Sequence, residues 1–204
     1  RYNAKTAIPE PGLAESWEIS PDGRVYRFRL RPNLQWSDGS PLEAQDLVYS
    51  WRRILEPATA CKYADILYSV RNASEFNHGT ITDFFKVGIR HTSPLDIEIT
   101  LKEATPYFVD ICCSPTLVIV PKAPIEQFGD RWLVQPNIPT SGAYQLGSWR
   151  LNDRIRLVRN SYYWDLDQVA SKNIDILPTG NASTALNLYE TGEVDRSEEH
   201  TSEL

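Results

Sequence analysis

Adjacent thiols at Cys112 and Cys113 are the first residues in this 204-residue chain whose type and spacing suggest chemistry. Neighbouring cysteines can close a strained vicinal disulfide. They can also serve as two small apolar side chains, and that reading is the stronger one here. Metal binding is weaker still, because Cys61 stands apart and His78, His91 and His200 are scattered, with none at ligand spacing. Cysteine usage therefore leaves the redox compartment open. Nucleophilic catalysis finds no better footing. Ser141-Gly142-Ala143-Tyr144 has one glycine and no helix directly after the serine, so it reads as a strand entry and not a nucleophile elbow. Neither a glycine-rich phosphate loop nor a metal cluster stands in the sequence. The expectation is a protein that is not an enzyme, with no catalytic residue, no metal and no cofactor.

Two further motifs read as structure. In Trp36-Ser37-Asp38-Gly39, Asp38-Gly39 makes a turn, Ser37 or Asp38 satisfies local amides, and Trp36 supplies core area. The series Arg154, Arg156 and Arg159 along one strand reads as a solvated face.

The elements that must hold these residues announce themselves locally. Ser20-Pro21-Asp22-Gly23 is turn chemistry, and after it Tyr26, Phe28 and Leu30 alternate with Arg27, Arg29 and Arg31, a strand with one buried face. Ser40-Pro41-Leu42-Glu43 predicts a capping box with Ser40 as the cap. The helix it opens carries Ala44, Leu47, Val48, Trp51, Ile54 and Leu55 on one stripe. A second helix is predicted from Ala60 to Asn77, ended by Gly79, and then a hairpin with Phe85, Val87 and Ile89 against Leu95, Ile97, Ile99 and Leu101. Next come a short helix over Pro106 to Cys113, a strand over Thr116 to Val120 and a helix over Ile125 to Phe128. Strands at Ala143–Trp149, Arg154–Arg159 and Ile174–Leu177 precede a closing helix from Asn181 to Glu190, with Gly192 just past its end. This mixture predicts an α/β molecule of mixed α+β lobes, with Pro121-Lys122-Ala123-Pro124 as the crossing between them.

Composition bounds the partners. A hydrophobic share of 41% and a charged share of 24% suit a globular domain with a real core, and a net charge of −6 gives no nucleic-acid footprint. No apolar run reaches bilayer-spanning length.

Several of these motifs together resemble the family 5 extracellular solute-binding proteins, the oligopeptide- and dipeptide-binding subunits of bacterial ABC importers. They are Ala14-Glu15-Ser16-Trp17, Asp22-Gly23, Leu30-Arg31, Trp36-Ser37-Asp38-Gly39 with Pro41, and Ala44 with Asp46. The likeness continues through Thr105-Pro106-Tyr107-Phe108, Val120-Pro121-Lys122, Ser141-Gly142-Ala143-Tyr144, Tyr163-Trp164 and Thr191-Gly192-Glu193-Val194-Asp195. It is nearest to the oligopeptide branch. The resemblance implies part of a type II periplasmic-binding-protein-like fold, a first-half fragment lacking the third lobe. Residues 1–120 would form the family's middle lobe and residues 121–195 part of its first lobe. It also implies a monomer outside the inner membrane, free in the periplasm or lipid-anchored. Such a protein captures oligopeptides and hands them to the permease subunits of the importer. An export signal belongs to that picture and is not seen here, so the expectation is a chain that starts partway into the family's fold.

Two ligand-binding positions are implied by the same resemblance. Tyr63 matches a tyrosine lining the peptide site, with core packing as the competing role. Ser114 stands where some members carry a histidine that receives the ligand's carboxylate; serine keeps a hydroxyl donor and loses the possible charge. Relatives in the family take nickel complexes, haem or oligosaccharides, which is the alternative reading of the solute. A further alternative is an isolated fragment with no binding activity, since half a clamshell closes on nothing.

Residues 196–204, Arg196 to Leu204, break from the family pattern and resemble a translated sequencing adapter. Removing their one positive and three negative charges would take the net charge from −6 to −4.

Overall fold

The computed structural model describes residues 1–135 and 137–197; the expectation for 198–204 lies outside them. The period-two pattern builds the first sheet. β1 (Ala14–Ile19) and β2 (Val25–Leu30) are joined by the expected turn, where Gly23 sits at φ 69° and donates its N–H to the Ser20 carbonyl at 2.8 Å. β3 (Ile89–His91) and β4 (Asp96–Thr100) complete an antiparallel sheet in the order β1-β2-β4-β3. Tyr26, Leu30, Ile97 and Ile99 fill the core from its inner face. On the outer face Arg27 meets Glu98 at 3.0 Å and Arg29 meets Asp96 at 2.8 Å, which turns the alternating arginines into cross-strand pairs.

Helix α1 (Ala44–Leu55) presents the predicted stripe to this sheet, with Ala44, Trp51 and Leu55 buried. Its start differs from expectation. Glu43, not Ser40, is the cap, and the Glu43 N–H donates to the Asp46 carboxylate at 2.8 Å. Ser40 is taken by the preceding turn, donating its hydroxyl and its N–H to Asp38 Oδ1 at 2.6 and 2.9 Å. Leu42 is then drawn into the core, its N–H on the Leu34 carbonyl, before helical winding can begin.

The helix predicted over 60–77 is broken. Ala60 and Asn72 stand at positive φ (48° and 60°), and between them lie only a short 3₁₀ turn at Ala64–Leu67 and a bridge from Val70 to Leu101, followed by α2 (Ala73–Asn77). The Arg71 N–H on the Thr100 carbonyl and the Lys102 N–H on the Ser69 carbonyl, each 2.9 Å, show the cause. Pairing with the end of β4 outweighs helix propensity. Leu67, Val70 and Ala73 are still fully buried, so the apolar spacing is satisfied by successive turns. Phe85 likewise leaves the expected strand for a 3₁₀ turn at Phe84–Lys86.

Helix α3 (Phe108–Ile111) is shorter than predicted, and Thr116 to Val120 is not a strand. Pro115–Leu117 forms a 3₁₀ turn, and the backbone beyond is held by α1 side chains: Trp51 Nε1 donates to the Leu117 carbonyl at 3.1 Å and the Val120 N–H donates to Ser50 Oγ at 2.9 Å. Helix α4 (Lys122–Phe128) starts directly after Pro121, three residues early. Pro124 is tolerated because its first-turn position needs no intrahelical N–H.

The remaining elements follow expectation closely. β5 (Tyr144–Arg150), β6 (Arg154–Arg159) and β7 (Asn173–Ile176) form an antiparallel sheet, and α5 (Ala182–Glu190) is capped by Asn181, whose side chain accepts the Thr184 N–H at 3.0 Å. Arg154 and Arg156 do lie on a solvated face, where Arg156 makes two 2.7 Å bonds to Asp175.

The first sheet's loops grip the segment around the second sheet. The Ser37 N–H donates to the Thr140 carbonyl at 2.9 Å, and the Thr140 N–H returns to Ser37 Oγ at 3.1 Å. Arg1 pairs with Asp165 at 2.8 Å, and the Arg31 guanidinium lies 4.0 Å over the Trp164 ring. Gly39, at φ 84°, leaves room for Tyr162; a Cβ there would come within 3.2 Å of its ring.

Candidate ligand-binding site

Tyr63 and Ser114 have separate settings. Tyr63 precedes the 3₁₀ turn at Ala64–Leu67 and is 65% exposed, so packing the lobe core is not its role. Ser114 is half-buried and caps the turn at Pro115–Leu117, its hydroxyl accepting the Thr116 N–H at 3.3 Å. The hydroxyl can still donate one hydrogen bond outward.

Ser114 borders a cavity of about 340 Å³ that Tyr63 does not line. Trp17 and Phe28 reach it from the first sheet, Leu47 and Trp51 from α1, and Val109 and Cys112 from α3. Trp164 and Ser141 come from the segments around the second sheet. The Phe28, Leu47 and Trp51 sides follow directly from the strand alternation and the helix stripe. The wall is apolar, with Arg1 and Glu10 paired at 2.8 Å on its border. Hydrogen bonds from Asn3 and then from Arg1 hold the Glu10 carboxyl below its ordinary value. Such a volume and lining accept an apolar group and offer only a few polar contacts.

Cys112 and Cys113 also line this cavity, both as free thiols. Burial, and then the neighbouring Cys113, push the Cys112 thiol well above its ordinary range, which keeps it protonated at neutral pH. Among the described residues no group of three His, Cys, Asp or Glu side chains is placed to hold a metal. Trp36 is buried and Asp38 serves its own turn, as the sequence predicts for that motif.

Sequence reasoning missed the cavity and the fully buried Asn160. Asn160 donates from Nδ2 to the Gly142 carbonyl and accepts the Tyr162 N–H, both at 2.9 Å, fixing the two loops that meet the first sheet. Its only sequence signal is a polar residue directly after the β6 alternation.

The sequence family described as bacterial extracellular solute-binding proteins, family 5 Middle, matches residues 9–203. The chain belongs to this family. The periplasmic oligopeptide-binding protein OppA of Salmonella typhimurium is 40% identical over 191 residues, covering 92% of this chain and 34% of its own length. This family 5 chain therefore spans about a third of the length of the curated relatives it matches. Among solved structures, the periplasmic oligopeptide-binding protein OppAIV of Borrelia burgdorferi superposes with a TM-score of 0.90 at 37% identity, over 95% of this chain and 39% of that one. Haemophilus influenzae OppA in complex with RPPGFSPFR gives 0.86 at 32% identity, over 91% and 36%. The mixed α/β architecture is thus part of the oligopeptide-binding-protein fold.

Proposed function

We propose that this chain is part of the substrate-binding component of a peptide ABC importer, capturing oligopeptides outside the inner membrane and delivering them to the permease subunits. The observation that carries this reading is the backbone match to a peptide-bound OppA at a TM-score of 0.86 and 32% identity. Binding is the chemistry this reading assigns, with the exposed tyrosine and the cavity offering contact surface and hydrogen bonds to a ligand. Residues 1–120 act as the middle lobe and residues 121–195 as part of the first, with the protein periplasmic or lipid-anchored and monomeric. The family match runs to residue 203, yet we read 196–204 as an adapter-derived addition, and sequencing the coding DNA past Asp195 tests that reading.

Tyr63 lays its ring against the peptide, and Ser114 donates its hydroxyl to a polar group of the ligand. A lobe pair closing on a ligand needs both jaws, so the 204 residues alone should show no saturable peptide binding. The test is a chimera in which residues 9–195 replace the matching segment of the Salmonella OppA. Calorimetry with di- to pentapeptides should show binding, and Tyr63→Ala should weaken it about tenfold. A folded chimera that binds no peptide defeats the proposal.

A further inference from the structure

Two thiols share the wall of an apolar cavity. The Cys112 N–H donates to the Phe108 carbonyl at 3.1 Å and the Cys113 N–H to the Asp110 carbonyl at 3.0 Å, so the last turn of α3 fixes both Cα positions. Both residues border the same cavity of about 340 Å³, whose lining also includes Trp17, Trp51 and Trp164. We propose that Cys112 and Cys113 form a dithiol site for a trivalent thiophilic metalloid bearing an apolar organic group, with that group housed in the cavity.

The donor set selects this ligand class. A zinc-type ion needs four ligands, and among the described residues no third His, Cys, Asp or Glu joins the pair. A trivalent metalloid that already carries one carbon substituent needs only two protein donors. Its third bond then directs the substituent away from the thiols, and the apolar walls favour burying it. The reaction with an organoarsenous diol balances without an oxidant. Two As–O bonds break, two As–S bonds form, and each thiol proton leaves with a hydroxyl group as water. The raised Cys112 thiol is no obstacle, since condensation starts from neutral thiols. Once one sulfur is attached, the second attack is intramolecular and gains from a high effective concentration. The cavity is shared with the peptide reading, but the dithiol assignment rests on Cys112 and Cys113 and does not require that reading to hold.

The test titrates phenylarsine oxide into the full chain after phosphine reduction, reading tryptophan fluorescence and intact mass. One equivalent should bind, quench the cavity tryptophans, and be released by 2,3-dimercaptopropanol but not by 2-mercaptoethanol. Cys112→Ser and Cys113→Ser should each weaken binding about a hundredfold, with Cys112→Ala as the apolar control for folding by circular dichroism. Cys61→Ser should leave binding unchanged. Inorganic arsenite, which has no group to bury, should bind at least about tenfold more weakly. Absence of binding after reduction, full binding in either folded single variant, or equal affinity for arsenite overturns the proposal.

Discussion

Trp51 does two jobs with one side chain. Its ring packs in the core beneath the first sheet, 3% exposed, while Nε1 bonds the Leu117 carbonyl at 3.1 Å in place of a strand partner. Trp51→Phe keeps most of the ring area and leaves that buried carbonyl without its donor. Urea denaturation should show a loss of about 1–3 kcal/mol; an unchanged midpoint would mean that water takes over the bond. At this scale the sequence was readable wherever a residue answered to its own neighbours. The Asp38 turn is of this kind, and so is the stripe that buries Trp51. The Asn160 bond to Gly142 and the anchoring of the backbone after Pro115 by Ser50 and Trp51 were not, because those partners lie far along the chain and leave no local trace. Tyr63 shows the same divide: its position was carried by family resemblance, while its exposure depends on how the chain between Ala60 and Asn72 is broken.

Among the elements, the outer face of the first sheet is an electrostatic ladder. Burial pushes the Glu98 carboxyl up, but Arg90 and Arg27 outweigh it, and the net shift is downward from an ordinary value of 4.5. A hydrogen bond from Ser93, and then Arg29, lowers Asp96 from 3.8. Groups depressed in the folded state contribute stability above their unfolded values and lose it as pH falls through the folded ones. Denaturation midpoints should therefore hold near neutrality and decline from about pH 4.5 downward. Glu98→Gln should start lower at pH 7 and decline less steeply, and an unaltered slope would show the ladder to be inert. The strands were legible because alternation needs only local information. The helix predicted over 60–77 failed because its apolar spacing fits short turns as well as a helix, and the bridge to Leu101 that decides between them is long-range.

For the molecule as a whole, the contact between the two sheets rests on few groups. Ser37→Ala removes the oxygen that accepts the Thr140 N–H at 3.1 Å, while the return bond through the Ser37 N–H remains. A stability loss of about 1 kcal/mol with faster proteolysis between Thr140 and Tyr144 is expected. Unchanged cleavage rates would shift the weight to Arg31 and Trp164. The sequence reading expected a crossing near Pro121, and nothing in it signalled the contacts at Ser37, Gly39, Arg31 and Arg1 that pin the segments on either side together. That pinning has a mechanical result. A reciprocal Ser37–Thr140 clasp, a stacked guanidinium and an ion pair all span one seam, so the two sheets are expected to move together. If peptide capture proceeds as proposed, its swing turns about an axis outside this seam.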